Sequence, residues 1–382
     1  MDNNRVTRFL GAPSVRQVLP ILIRTLAALT ISLYVLTATS ALAGPPPGKP
    51  EAFHLYLLIG QSNMAGRGEI EEIDQTPHPR VWKLTQDNAW QAATAPIHFD
   101  KPKIAGTGLA GTFGRSLADE QPGIHIGLIP CAVGGTRISQ WKNGAKLYNN
   151  AVSRAKAAMK DGVLKGILWH QGEGDSGKES TLKAYIPNLT RLVHHLRADL
   201  DSPTVPFIAG QLSRAWGDEK PLRKEFNIQL ARHARFQTIP YFGVALSQEI
   251  SAKADKTHFD AAGLRELGKR YFEAWKDAAR VSSNQDPGAA ISSIRFQGQP
   301  VSQAVSVLAT RAHVPYAADL DVLESPIWTS PYYAEFRDVT AGRALRAVLA
   351  QVGLVARQTP GSNLQRIGKS VTPAAPDATP KP

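Results

Sequence analysis

A single cysteine, Cys131, occurs in 382 residues, so no intrachain disulfide can form and the fold must rest on its core alone. Blocks of five like charges are also missing, although the formal net charge is +12. A balance spread in this way excludes the basic stripe of a nucleic-acid binder, and no nucleic acid is expected as a partner. The longest apolar stretch, residues 25–36, is shorter than the ~20 residues of a membrane-spanning helix. What remains is 43% hydrophobic and 20% charged, an ordinary globular composition, in a chain long enough for about two domains of ~150 residues.

The amino terminus reads as a segment apart. Arg5, Arg8, Arg16 and Arg24 with one acidic residue, Asp2, form a basic region. The apolar stretch follows it, and then Ala41-Leu42-Ala43, a small-residue cleavage site. This predicts a secretory signal over 1–43, with an uncleaved anchor as the alternative and the sole route to a membrane. Removing it takes away a net charge of +3 and leaves +9. Export without disulfides fits a bacterial periplasm or secretion.

A linker over 44–52 opens with Gly-Pro-Pro-Pro-Gly-Lys-Pro. From His54 onward, short apolar runs at 55–59, 124–130, 163–169, 205–209 and 241–245 predict strands. Amphipathic stretches at 148–160, 181–200, 222–236 and 261–278 predict helices, with Leu182, Tyr185, Leu189, Leu192 and Leu196 on one face. Strands alternating with helices predict an α/β fold, a three-layer α/β/α domain over 53–280 around a five-stranded parallel sheet. Residues 66–110 lack periodicity and predict long loops beside its crevice. Residues 281–289 read as a second linker. A small α+β domain follows over 290–370, with helices at 301–311 and 341–352 and a hairpin from 354–357 and 364–367. A Pro/Ala-rich tail over 371–382, predicted to be disordered, ends the chain.

Chemistry gathers at the ends of the predicted strands. Gly60-Gln61-Ser62-Asn63-Met64 breaks the first strand and opens a helix, which leaves Ser62 readable as a nucleophile or as a helix N-cap. After the second strand, Val133-Gly134-Gly135-Thr136 is a glycine turn whose N–H groups can approach a ligand closely, or a plain tight turn. After the third come His170-Gln171-Gly172-Glu173. Gln171 can offer a side-chain N–H to an oxyanion. His170 and Glu173 read as loop-fixing residues before a base or ligand pair, because no second histidine lies near for a metal. Ahead of the last helix, Asp255 stands three residues before His258 on a turn, the spacing of an orienting carboxylate and a base. Asp260 competes as orienter but is better placed to cap that helix.

These four ordered blocks resemble the SGNH hydrolase superfamily, and more narrowly its sialate O-acetylesterase-like and acetylxylan esterase-like carbohydrate esterases, over about residues 53–279. The resemblance implies a flavodoxin-like sheet, Ser62 as nucleophile, His258 as general base and Asp255 as its orienter. It also implies an oxyanion hole from the Ser62 N–H, the Gly134 N–H (chosen over Gly135) and Gln171, with no metal or organic cofactor. Residues 290–369 resemble the short amino-terminal domain of secretins and TonB-dependent receptors, which implies an envelope protein or glycan as partner. The expected function is an exported serine esterase that removes O-acetyl groups from carbohydrate (acetylxylan, sialic acid or another glycan) through an acyl-enzyme. A non-catalytic envelope glycan-binding protein and a peptidoglycan O-acetylesterase are the alternatives.

Overall fold

Leu55, Tyr56, Leu57, Leu58 and Ile59 are fully buried in a computed structural model of the chain, in the strand at the centre of its largest sheet. The structure describes residues 48–358 and 365–369, apart from 236–238, 240, 284–289, 313 and 315. The expected signal over 1–43, part of each linker and the tail over 371–382 lie outside the described residues.

In chain order the first part holds β1 (Phe53–Gly60), α1 (Ser62–Ala65), β2 (Val81–Leu84), β3 (Trp90–Ala92), α2 (Leu109–Glu120), β4 (His125–Pro130) and α3 (Lys146–Ala158). It continues with β5 (Val163–His170), α4 (Glu179–Asp199), β6 (Phe207–Gly210), α5 (Pro221–Arg235), β7 (Phe242–Ala245) and α6 (Ala261–Ser283). The sheet order is β3-β2-β4-β1-β5-β6-β7, and only the β2–β3 pairing is antiparallel. The five expected strands therefore stand in the order 2-1-3-4-5 of a flavodoxin-like sheet, with its ligand crevice at the β1 switch point.

Seven strands rather than five is a correction. The two extra strands come from the stretch read as loop. Val81-Trp82-Lys83-Leu84 hides its signal behind a buried lysine, whose Nζ donates to the carbonyls of Thr94 and Pro96 at 2.8 Å each. The unpredicted helix α2 buries Leu109, Phe113 and Leu117 at helical spacing.

Alternation along β1 builds the three layers. Leu57 and Ile59 join the core on one face with Tyr148 of α3, Leu189 of α4 and Phe226 of α5. Tyr56 and Leu58 join the opposite core with Phe113 of α2 and Leu267 of α6. Gly60 ends the strand at φ +128°, where a Cβ would lie 2.2 Å from the His170 carbonyl oxygen. Only glycine lets β1 and β5 converge there and place their following loops side by side.

The small module holds β8 (Ala290–Pro300), α7 (Val301–Arg311), β9 (Tyr316–Ala318), β10 (Pro331–Thr340), α8 (Ala341–Gln351), β11 (Leu354–Gln358) and β12 (Gln365–Lys369). β8 pairs with β10, and β9, β12 and β11 form a second sheet. Its core, with Val305, Leu308, Leu345, Val348 and Ile367, draws on this module alone. Helix α6 runs to Ser283, past the expected start of the linker at 281.

Three buried histidines couple this fold to pH. Burial holds His98, His170 and His194 each at about 3. The unfolded chain takes up those protons near ~6.5, whereas the folded chain does not until about 3. Stability is therefore full above ~6.5 and is lost as pH falls from there toward 3. Denaturation midpoints are expected to drop clearly between about pH 7.5 and about pH 5; equal midpoints would contradict buried neutral imidazoles.

Candidate active site

Ser62 is the first residue of α1, directly beyond the carboxyl end of β1. Its Oγ lies 2.9 Å from His258 Nε2, and His258 Nδ1 lies 2.7 Å from Asp255 Oδ2. The other carboxylate oxygen of Asp255 accepts from the His258 and Thr257 N–H groups at 2.9 and 3.0 Å. Burial pushes the Asp255 carboxyl up, but those N–H groups and the imidazole outweigh it and hold the carboxyl below its usual range. With Nδ1–H given to Asp255, Nε2 is left to accept the serine proton. Helix α1 has no side-chain cap, so of the two readings of Ser62 the hydroxyl aimed at a base is the one realised. Exposure rises along the chain of groups, 8% at Ser62 against 27% and 49% for the His258 and Asp255 side chains, so the nucleophile sits at the bottom of an open site.

Asp260 does something else. Its Oδ1 accepts from the Gly263 N–H and the Ser251 hydroxyl at 2.7 Å each, which caps α6 and pins the preceding loop.

Two residues beside Ser62 lock the blocks together. Asn63 donates to Thr257 O at 3.1 Å and accepts from the Phe259 N–H at 3.2 Å, clamping the histidine loop on both sides of His258. Asn63 also donates to Glu173 Oε1 at 2.7 Å, and Gln61 donates to the other oxygen of the same carboxylate. Burial raises the Glu173 pKa, a rise opposed by the Asn63 hydrogen bond and the charge of His258. Glu173 is thus the loop-fixing residue the sequence suggested, bridging both neighbours of Ser62. Its replacement by alanine is expected to slow hydrolysis about 100-fold, the order of loss for reacting groups misplaced by ~1 Å. Initial rates on p-nitrophenyl acetate check this, and an unchanged rate would remove Glu173 from the positioning of Ser62.

His170 lies beneath the site. Fully buried, its Nδ1 contacts the Tyr271 hydroxyl at 3.0 Å, which in turn donates to Trp169 O at 2.7 Å.

The three expected oxyanion donors separate. The Ser62 N–H starts α1, where no intrahelical acceptor exists. The Gly134 N–H is engaged, donating to Asp100 Oδ2 at 2.8 Å, and Asp100 is held by Arg67 at 2.8 Å in a buried ion pair. The neighbouring Gly135, at φ +82°, has no hydrogen bond among the described residues. Gln171 is fully buried and its Nε2 donates to Thr136 O at 3.0 Å and to Asp175 Oδ2 at 2.6 Å. Both amide hydrogens are engaged, so Gln171 ties the glycine turn to the following loop and offers no donor to the site. That corrects its expected role. Arg67 and Asp100 carried no sequence signal, since both fall in the aperiodic stretch.

Residues 52–277 match the family model described as carbohydrate esterase, sialic acid-specific acetylesterase. The chain belongs to this family. The family match makes it a carbohydrate O-acetylesterase by class, a carboxylic ester hydrolase. A curated relative, the probable carbohydrate esterase At4g34215 of Arabidopsis thaliana, is 34% identical over 182 residues, which is 43% of this chain and 70% of the relative. The X-ray structure of the Arabidopsis thaliana protein AT4G34215 aligns with a TM-score of 0.54 at 28% identity, covering 60% of this chain and 99% of that one. The crystal structure of NanS aligns at 0.51 and 19% identity, covering 61% and 99%, a likeness of fold alone. In this acetylesterase all four blocks fall inside the matched span, and the small module lies beyond it.

Proposed function

We propose that this acetylesterase removes O-acetyl groups from carbohydrate through an acyl-enzyme on Ser62, and that it works outside the cytoplasm. The observation that carries the mechanism is the continuous Ser62–His258–Asp255 hydrogen-bond chain. Ser62 Oγ attacks the acetyl carbonyl carbon while His258 Nε2 takes its proton, and Asp255 holds the imidazole in the required tautomer. The tetrahedral oxyanion meets the Ser62 N–H. The free Gly135 N–H is the second donor in this reading, since Gly134 becomes available only when Asp100 releases it. Collapse expels the sugar alkoxide, which takes the proton from His258. Water, deprotonated by the same imidazole, then attacks the acetyl-serine and frees acetate.

The amino-terminal pattern of arginines, apolar stretch and Ala-Leu-Ala supports export to the periplasm or beyond. Acetate release from acetylated xylan, O-acetylated sialic acid and O-acetylated peptidoglycan, measured beside p-nitrophenyl acetate, tests the reading. Turnover of the model ester and of at least one glycan is expected. A folded chain that releases acetate from none of them would leave the non-catalytic glycan-binding alternative in its place.

A further inference from the structure

Where the small module meets α4, a cleft of about 440 Å³ opens that the ester chemistry does not use. Its floor is apolar, with Ile186 of α4 opposite Leu323, Tyr316 and Trp328 of the module. Tyr316 packs its ring on His194 at 5.8 Å and on Trp328 at 6.5 Å, so both parts of the chain shape the floor. Along the rim stand Lys183, Arg191 and Arg232, and no aspartate or glutamate lines the cleft. Lys183 is paired with Glu179. Arg191 and Arg232 have no carboxylate partner among the described residues, Arg191 touching only the Asn188 amide oxygen at 3.1 Å. Neutral polar groups, among them Gln229, Ser302 and Gln303, alternate with the apolar ones. The Trp328 indole N–H is buried and has no hydrogen-bond partner.

We propose that this cleft binds a short segment of a carboxylated glycan, at a place separate from the ester site. Two guanidinium groups without carboxylate partners favour a carboxylate, which they can meet with paired N–H donors. An acyl chain would need a continuous apolar channel, whereas scattered amides and hydroxyls suit a ring that carries hydroxyls on its edge and C–H groups on its faces. A volume of this size is within the range of small-ligand sites. The cleft also lies along the helix that leaves the catalytic loop. Arg191 stands about 18 Å along α4 from its start, so a glycan long enough to span that distance would bring its other residues toward Ser62.

The test uses calorimetric titration of the full chain carrying Ser62→Ala, so that binding is read whether or not the chain hydrolyses esters. The probes are trigalacturonate, a sialyl trisaccharide and the neutral methyl ester of trigalacturonate. Binding of one or both acids at one site per chain is expected, with the methyl ester weaker by about tenfold or more. Arg191→Gln with Arg232→Gln, at two exposed positions, is expected to weaken the acid by a similar factor. The same pair of changes in the chain with Ser62 intact should leave p-nitrophenyl acetate turnover unaltered. No binding of either acid, equal binding of the methyl ester, or undiminished binding after loss of both arginines would each overturn the proposal.

Discussion

Replacing Ser62 with alanine is expected to leave a folded chain whose ester hydrolysis falls by roughly 10⁴–10⁶-fold. The change removes one oxygen from a buried turn, and the hydrogen bond it breaks in the structure is the one to His258. The framework around it stays. Gln61 and Asn63 remain bridged by Glu173, and Gly60 still passes against β5. Little stability should therefore be lost, because no cavity larger than a hydroxyl is made and no buried charge is left alone. The rate, by contrast, loses the atom to which the acetyl group is transferred. Thermal melts and initial rates on p-nitrophenyl acetate, measured on one preparation, separate the two effects. A folded variant that turns over normally would remove Ser62 from the chemistry.

The second large effect is expected at Asp255 and not at Asp260. Asp255→Asn should lower turnover by about 10⁴-fold. An asparagine can present its own N–H to His258 Nδ1, which leaves the imidazole proton on Nε2, the atom that must accept from Ser62. Asp255 is half exposed, so its contribution is orientation and tautomer, and the fold should barely notice. Asp260→Asn should do the reverse. It weakens the cap on α6 and the tie to Ser251, lowering the melting point with little change in turnover. If the rates responded the other way round, Asp260 would be the orienter.

How far the sequence could be read depended on what each residue leaves on the surface of the pattern. The buried strands of the central sheet were legible because two-sided burial demands an unbroken aliphatic run, as in β1. Strand β2 was not, since its lysine is buried by folding its amine onto two backbone carbonyls, a solution invisible in a hydropathy pattern. The Ser62–Asp255–His258 constellation was legible because each member lies in a block at the end of a strand or the start of a helix. The oxyanion donors were read less well. Gln171 has the right side chain at the right place in the order, but which acceptor an amide meets depends on Thr136 and Asp175, brought beside it only by the fold. The Arg67–Asp100 pair illustrates the same limit, since its members are joined across an aperiodic loop by charge alone.

The measurement closest to the centre of the account is peptide mass spectrometry of the chain quenched during turnover of an acetylated oligosaccharide. A serine nucleophile predicts that the peptide containing Ser62 gains the mass of one acetyl group, transiently and in step with acetate release. Acetate release with Ser62 unmodified at every time point, undiminished in the Ser62→Ala chain, would contradict it.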